Sequence, residues 1–241
     1  MSQADHPLAD LYPRSESPAR FVPGPGYRTP SRRSRSARWF IGLTVALNAV
    51  SILLLGLQRA LLNRGPGLIS LAEWHRSVVR VQAAADFELL AFIVALVLFL
   101  RWLHLSYCNL RALGTQGMRF TPGWAVGYWF VPVLNIWRPA EVLGDLWRAT
   151  DPGADHSGDG WRSLRSSPLI GWWWALGLVA GPIAWGANEL PAHTISDLQN
   201  RNAVLLLTHV LELAAGACLF SVVGKLTARQ DARAAASPRE A

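Results

Sequence analysis

The chain has 241 residues, of which 51% are hydrophobic and only 16% charged, with 12 Trp and a formal net charge of +7. Soluble domains carry closer to about a quarter charged residues, so the composition excludes an ordinary water-soluble globular protein and points to an integral membrane protein. The basic excess does not call for nucleic acid as a partner, because positive residues gather in cytoplasmic loops of membrane proteins and Trp at membrane–water interfaces.

Residues 1–38 are rich in Pro, Ser and Arg, and six prolines from Pro7 to Pro30 forbid a long helix there. Their apolar content is too low to offset the entropy of ordering, which predicts a disordered cytoplasmic tail. The tail ends in the basic run SRRSRSAR, directly before the first apolar stretch. A secretory signal does not fit, since its apolar region is shorter and a cleavage site follows it. The basic run reads as a cytoplasmic flank that sets topology or touches anionic lipid heads.

Four segments reach the length of about 20 apolar residues that a bilayer requires. Between Arg38 and Arg59 lie 20 uncharged residues, and between Arg165 and Glu189 lie 23. The predicted spans are about 39–58, 86–107, 167–188 and 202–224, within a membrane domain over 39–228. In span two, Glu88 and Arg101 sit near the ends, where both are expected to reach toward water. Residues 229–241 form a second predicted disordered tail.

Arg and Lys counts orient the spans. The flank before span one holds Arg32, Arg33, Arg35 and Arg38, and the central loop holds seven Arg when Arg101 is included. The third loop holds only Arg201, and the C-terminal flank holds Lys225, Arg229, Arg233 and Arg239. Both termini and the central loop are therefore expected in the cytoplasm, with the protein in the cell (plasma) membrane. The first loop carries four Arg. Its LISLAEWHRSVVRVQ stretch has helical periodicity, and either extends span two outward or lies on the outer surface.

The central stretch 120–150 is too oily for a loop and too interrupted for a span. Pro132 removes a backbone donor, and Asn135 and Arg138 are costly at the bilayer centre. Bare non-helical backbone cannot face lipid. The first half is therefore expected to be a broken, re-entrant or interfacial element. The second half reads as an amphipathic helix begun by Pro139. Val142, Leu143, Leu146 and Trp147 share one face, and Glu141, Asp145 and Arg148 lie off it.

The stretches WLHLSYCNLRALG, RFTPGWAVGYWFVPVLNIWRPAEVLGDLWRATDP, GWWWALGLV and VVGKLTARQDAR resemble the domain of unknown function 4328 family of bacterial, mostly actinobacterial, membrane proteins. The resemblance runs from about Trp39 to Arg233. Its motif positions include Asn109, Gly114, Pro122, Trp124, Pro132, Asn135, Arg138, Pro139, Trp147 and Arg148. His104 and Cys108 depart from that pattern. The resemblance implies a multi-pass membrane protein and brings no activity.

Glu212 falls near the middle of span four, where an acid costs about 2.5–3.5 kcal/mol on insertion scales. It should therefore face other helices. His209 lies three residues earlier on the same face, and Gly216 one turn later leaves room for a neighbour. Thr44, Asn48 and Ser51 form a polar stripe on span one. With antiparallel spans one and four, Asn48 and Glu212 share a depth, with Ser51 and His209 one turn further out. The candidate intramembrane cluster is Asn48, Ser51, His209 and Glu212. It reads either as packing glue or as a relay. His209 and Glu212 have the spacing of a helical metal pair, but no second set of ligands is visible, so no metal is expected.

Gly177-x-x-x-Gly181 permits close helix approach, within the monomer or with a second copy or a membrane partner. Trp172, Trp173 and Trp174 read as interface anchors. Cys108 and Cys218 stand in no metal-ligand spacing and read as packing residues. Asp151, Asp155, His156 and Asp159 fall in a Gly-rich stretch that reads as a flexible linker.

No phosphate-cradling loop, nucleophile elbow or zinc-protease motif occurs. No catalytic residue and no cofactor follows from the sequence. The expected fold is all-α, with four transmembrane helices and a cytoplasmic broken-helix segment. The expected function is that of a non-enzymatic membrane scaffold or interaction protein. The alternative is a small transporter or channel component that uses the intramembrane polar stripe.

Overall fold

A computed structural model describes residues 26–65 and 67–236, and every regular element among them is helical. Helices α1 (Ser31–Leu62), α2 (Leu71–Ala112), α5 (Pro168–Glu189) and α6 (Ile195–Ala236) are each long and apolar enough to cross a membrane. Between α2 and α5 the chain forms α3 (Pro122–Gly127), two single 3₁₀ turns (Tyr128–Phe130 and Leu134–Ile136), α4 (Arg138–Ala149) and a third 3₁₀ turn, Gly160–Ser163. The protein is an all-α, multi-pass membrane protein.

Local chemistry starts and stops these helices. Ser70 and Glu73 form a reciprocal capping box at the start of α2, with the Ser70 hydroxyl accepting from Glu73 N–H at 3.1 Å. Thr194 and Asp197 do the same at the start of α6. Thr121 caps α3, and Pro122, Pro139 and Pro168 occupy first-turn positions, where a missing N–H costs nothing. Gly114 ends α2 with φ +72°, while its own N–H and that of Thr115 return to the carbonyls of Arg111 and Leu110. Pro132 falls between two 3₁₀ turns and breaks the central stretch there.

Helices α2 and α6 have 42 residues each. At 1.5 Å per residue each runs about 63 Å, twice the roughly 30 Å hydrocarbon core. From Leu71 on, the LISLAEWHRSVVRVQ stretch is thus the N-terminal extension of the helix that carries span two. Helix α1 packs along α2 on one side and α6 on the other, and α6 in turn packs against α5. Helices α1 and α6 run antiparallel, with Ser31 Oγ donating to Asp231 at 2.5 Å at one end and Arg59 to Gln199 O at 2.5 Å at the other. The helix ends nearest both termini therefore lie together, at what we call the termini end. Helices α2 and α5 are bridged there by Trp129, whose ring centroid lies 5.3 Å from that of Phe99 and 6.0 Å from that of Trp173.

The core sits at this same end. Trp102, Leu103, Tyr107 and Leu110 of α2 meet Val142, Leu143 and Leu146 of α4 and Val222, Val223 and Leu226 of α6, all fully buried. Trp102 Nε1 donates to Thr227 Oγ1 at 3.0 Å and Tyr107 Oη to Val142 O at 2.7 Å, so the polar tips of these rings are satisfied.

Several expectations need revision. Of the expected N-terminal tail, residues 1–25 lie outside the described residues, but α1 already begins at Ser31, with Ser34 and Ala37 buried. The expected C-terminal tail is helical to Ala236, and residues 237–241 lie outside the description. In both places a polar, Arg-rich sequence is carried as helix by packing against its neighbours, which hydropathy does not register. Asp145 is only 3% exposed. It lies off the apolar face of α4 as expected, but Arg148 and Arg119 close over it.

The three consecutive Trp divide. Trp172 is exposed, Trp173 is buried in the core, and Trp174 Nε1 donates to Ile136 O at 2.8 Å. The loop expected as a flexible linker is pinned by buried Trp161, whose Nε1 donates to Gln116 O at 2.9 Å. A Cβ added at Gly177 or Gly181 would meet nothing within 4 Å among the described residues, so neither glycine serves close packing inside the monomer.

Candidate functional site

The seam between α1, α2 and α6 is lined by polar side chains in its middle and in the half away from the termini end. Asn48 Nδ2 donates to the Thr44 carbonyl at 3.1 Å, which turns Oδ1 toward α6. His209 Nδ1 lies 2.9 Å from that oxygen. Since Asn48 Oδ1 can only accept, Nδ1 carries the proton. The same nitrogen is 3.5 Å from Glu212 Oε2 and 3.7 Å from Glu88 Oε1. Ser51 Oγ donates to the other Glu88 oxygen at 3.0 Å. Asn48 and Ser51 are buried, Glu88 and His209 are largely shielded, and Glu212 is half-exposed.

All four candidate cluster residues thus lie in one connected group, in a register that differs from the expected one. Asn48 is level with His209, and Ser51 with Glu88. The sequence reading placed Glu88 at the water edge and left it out of the cluster. One signal marks it. Ala84, Glu88, Ala91 and Ala95 follow one another at i, i+4, i+7 and i+11, and all three alanines are buried. Glu88 therefore belongs to the small-residue face of α2 that packs on α1.

One ligand atom each from Glu88, His209 and Glu212 lies within 4.8 Å of the others. A protonated imidazole balances one carboxylate and leaves the second uncompensated. The geometry suits binding of one further proton or a small cation, shared between two carboxylates and steadied by a neutral amide and a hydroxyl. Further from the termini end, the seam continues through buried Gln58, Ser77 and Asn202. Gln58 Nε2 donates to Ser77 Oγ at 3.3 Å, and Asn202 Nδ2 to Gln58 Oε1 at 3.0 Å.

The candidate motif residues build the layer at the termini end. Asn109 brackets the backbone of Arg28, donating to its carbonyl at 2.8 Å and accepting from its N–H at 3.2 Å. Gly114 and Pro122 shape helix ends, while Trp124 is exposed with its ring 5.2 Å from Tyr128. Pro132 breaks the segment, and Asn135 Oδ1 is buried without a hydrogen-bond partner among the described residues. Arg138 donates to Glu141 at 2.6 Å and lies over the rings of Phe120 and Tyr128. Pro139 sits in the first turn of α4, Trp147 lies under the guanidinium of Arg229 at 4.5 Å, and Arg148 pairs with Asp145.

The sequence reading missed a latch formed by α6 on the same layer. Arg229 donates to Asp151 and to Trp147 O. Arg233 donates to Ala149 O at 2.6 Å and Leu113 O at 2.9 Å. These are end carbonyls of α4 and α2, where cations are favoured. Burial pulls the Arg233 guanidinium down to about 10, so it remains charged at neutral pH. Its signal in the sequence is the four-residue spacing of Lys225, Arg229 and Arg233.

No curated protein and no solved structure matches the chain. The family model of a domain of unknown function, DUF4328, matches residues 66–228. The match starts after α1, whereas the resemblance runs from about Trp39. It covers Glu88, His209, Glu212 and all ten motif positions and leaves out Asn48 and Ser51. Two thirds of the chain thus carry the signature, and this multi-pass membrane protein belongs to the DUF4328 family.

Proposed function

We propose that the protein is a non-enzymatic transport or channel component that takes up a proton or small cation at Glu88, His209 and Glu212. The observation that carries this reading is the convergence of two carboxylates on one imidazole between three helices long and apolar enough to cross a membrane. Each acid costs about 2.5–3.5 kcal/mol there, whereas an interhelical hydrogen bond returns about 0.6 kcal/mol. Asn and Ser would supply glue more cheaply. The polar seam through Gln58, Ser77 and Asn202 supports an approach from the side away from the termini.

The Arg and Lys distribution supports a cell-membrane location with the termini in the cytoplasm. Four spans without an inverted repeat favour a component of an assembly over a stand-alone carrier. The open Gly177/Gly181 stripe supports contact with a second copy or with a membrane partner. The same stripe favours a second reading, a scaffold that organises other membrane proteins and in which the cluster serves only as packing.

Proteoliposomes loaded with a pH-sensitive dye separate the two readings. Under an imposed gradient the wild-type chain is expected to move protons, or the cation under test, and Glu88→Gln and Glu212→Gln to abolish the flux while both variants stay monodisperse and helical. Wild-type flux no greater than that of protein-free liposomes, with equal melting temperatures for all three, would leave only the scaffold.

A further inference from the structure

At the termini end, α1 and α6 part to leave an open groove of about 1040 Å³. Its lining changes character along its length. Arg35 and Arg38 stand at the outer part, while Trp39, Gly42, Leu43, Ala46 and Phe220 line the part toward the bilayer middle. The Arg38 guanidinium lies over the Phe220 ring, its carbon 4.1 Å from the centroid, and close against Gly224, whose lack of a side chain makes the room. Its Nε is buried and has no hydrogen-bond partner among the described residues. Trp39, at the junction of the two parts, is 74% exposed.

We propose that this groove holds an anionic phospholipid, its phosphate on Arg35 and Arg38 and an acyl chain along Leu43 and Ala46. A guanidinium is a planar fork that matches phosphate oxygens, and both arginines line the open groove. Arg38 is the last charge before the 20-residue apolar run of α1, which sets it at headgroup depth. The acid of the groove, Asp231, does not cancel this charge. It lies seven residues further along α6 than Gly224, about 10 Å away. Its carboxylate accepts from hydroxyls of Tyr27, Thr29 and Ser31 at 2.8, 2.9 and 2.5 Å and stands within ion-pair distance of neither arginine. A zwitterionic lipid would bring a second positive charge to two arginines, so the groove selects for net negative heads.

The test uses the full chain, purified and delipidated, titrated with phosphatidylglycerol or with phosphatidylcholine of the same acyl chains. Retained lipid is read by native mass spectrometry and stability by melting temperature. Phosphatidylglycerol is expected to stay bound and to raise the melting temperature by several degrees, and phosphatidylcholine to do neither. Arg35→Gln with Arg38→Gln should weaken retention on the order of 25-fold, from about fivefold per arginine near an anionic surface. Ala46→Trp fills the apolar part without touching charge and should also lose the lipid. Arg32→Gln with Arg33→Gln, outside the groove, should keep it. Equal retention of both lipids overturns the proposal, as does a loss in the Arg32/Arg33 pair equal to that in the Arg35/Arg38 pair.

Discussion

Gly216 lets α1 and α6 close to side-chain contact: a Cβ there would stand 2.6 Å from Val45 Cγ2. Two rigid helices meet at that point, so Gly216→Ala must spread them or turn Val45 off its rotamer. Overpacking of this kind costs about 1–3 kcal/mol, and thermal unfolding in detergent is expected to show the loss. Gly56, where a Cβ meets nothing within 4 Å, is the matched control. His156 gives a pH-dependent counterpart outside the membrane. Burial, and then the positive charge of Arg233, hold its imidazole below the usual value. The folded state therefore binds fewer protons than the unfolded one as pH falls through about 6.5. Stability should be full above that pH and decline below it, and His156→Gln should flatten the melting-temperature profile between pH 7.5 and 5.5.

Glu88 marks how far single residues could be read. Asn48 and His209 were legible because helical periodicity put them on opposed stripes. Glu88 was not, because position in a hydrophobic run says nothing about which neighbour slides past it. Asp145 lies off the apolar face of α4 as read, but a helical wheel knows one element's faces and not what covers them, here Arg148 and Arg119.

At the scale of elements, the capping boxes at Ser70 and Thr194 that begin α2 and α6 went unread, whereas the start of α4 at Pro139 was legible. The ends of α1, α2 and α6 were not. Their polar extensions lie beyond the hydrocarbon and are held by tertiary contacts that carry no hydropathy signal. The last turns of α6 are the clearest case, because Arg229 and Arg233 are held by groups on other elements, carbonyls and an acid among them. Arg233→Gln should cost about 2 kcal/mol, in the range of hydrogen bonds to a charged group. It should also open the segment after Thr227 to limited proteolysis. A variant that melts and resists protease like wild type would reduce the latch to ornament.

For the whole molecule, the four crossings followed from composition and length alone, but the order of helices did not. No periodicity tells that α1 lies between α2 and α6, or that Trp129 fills the space between α2 and α5. The antiparallel pairing of Ser31 with Asp231 brings the two described ends together. Reporters fused to either end are accordingly expected on one face of the membrane, the cytoplasmic one by the charge distribution. Activity on opposite faces would remove a crossing. Sequence separation along the latch has a further consequence for biogenesis. Arg233 follows Ala149 by 84 residues and Leu113 by 120, so those two carbonyls leave the ribosome long before their cation is made. Until then water must satisfy them, and this layer can set only once translation has delivered the final helix.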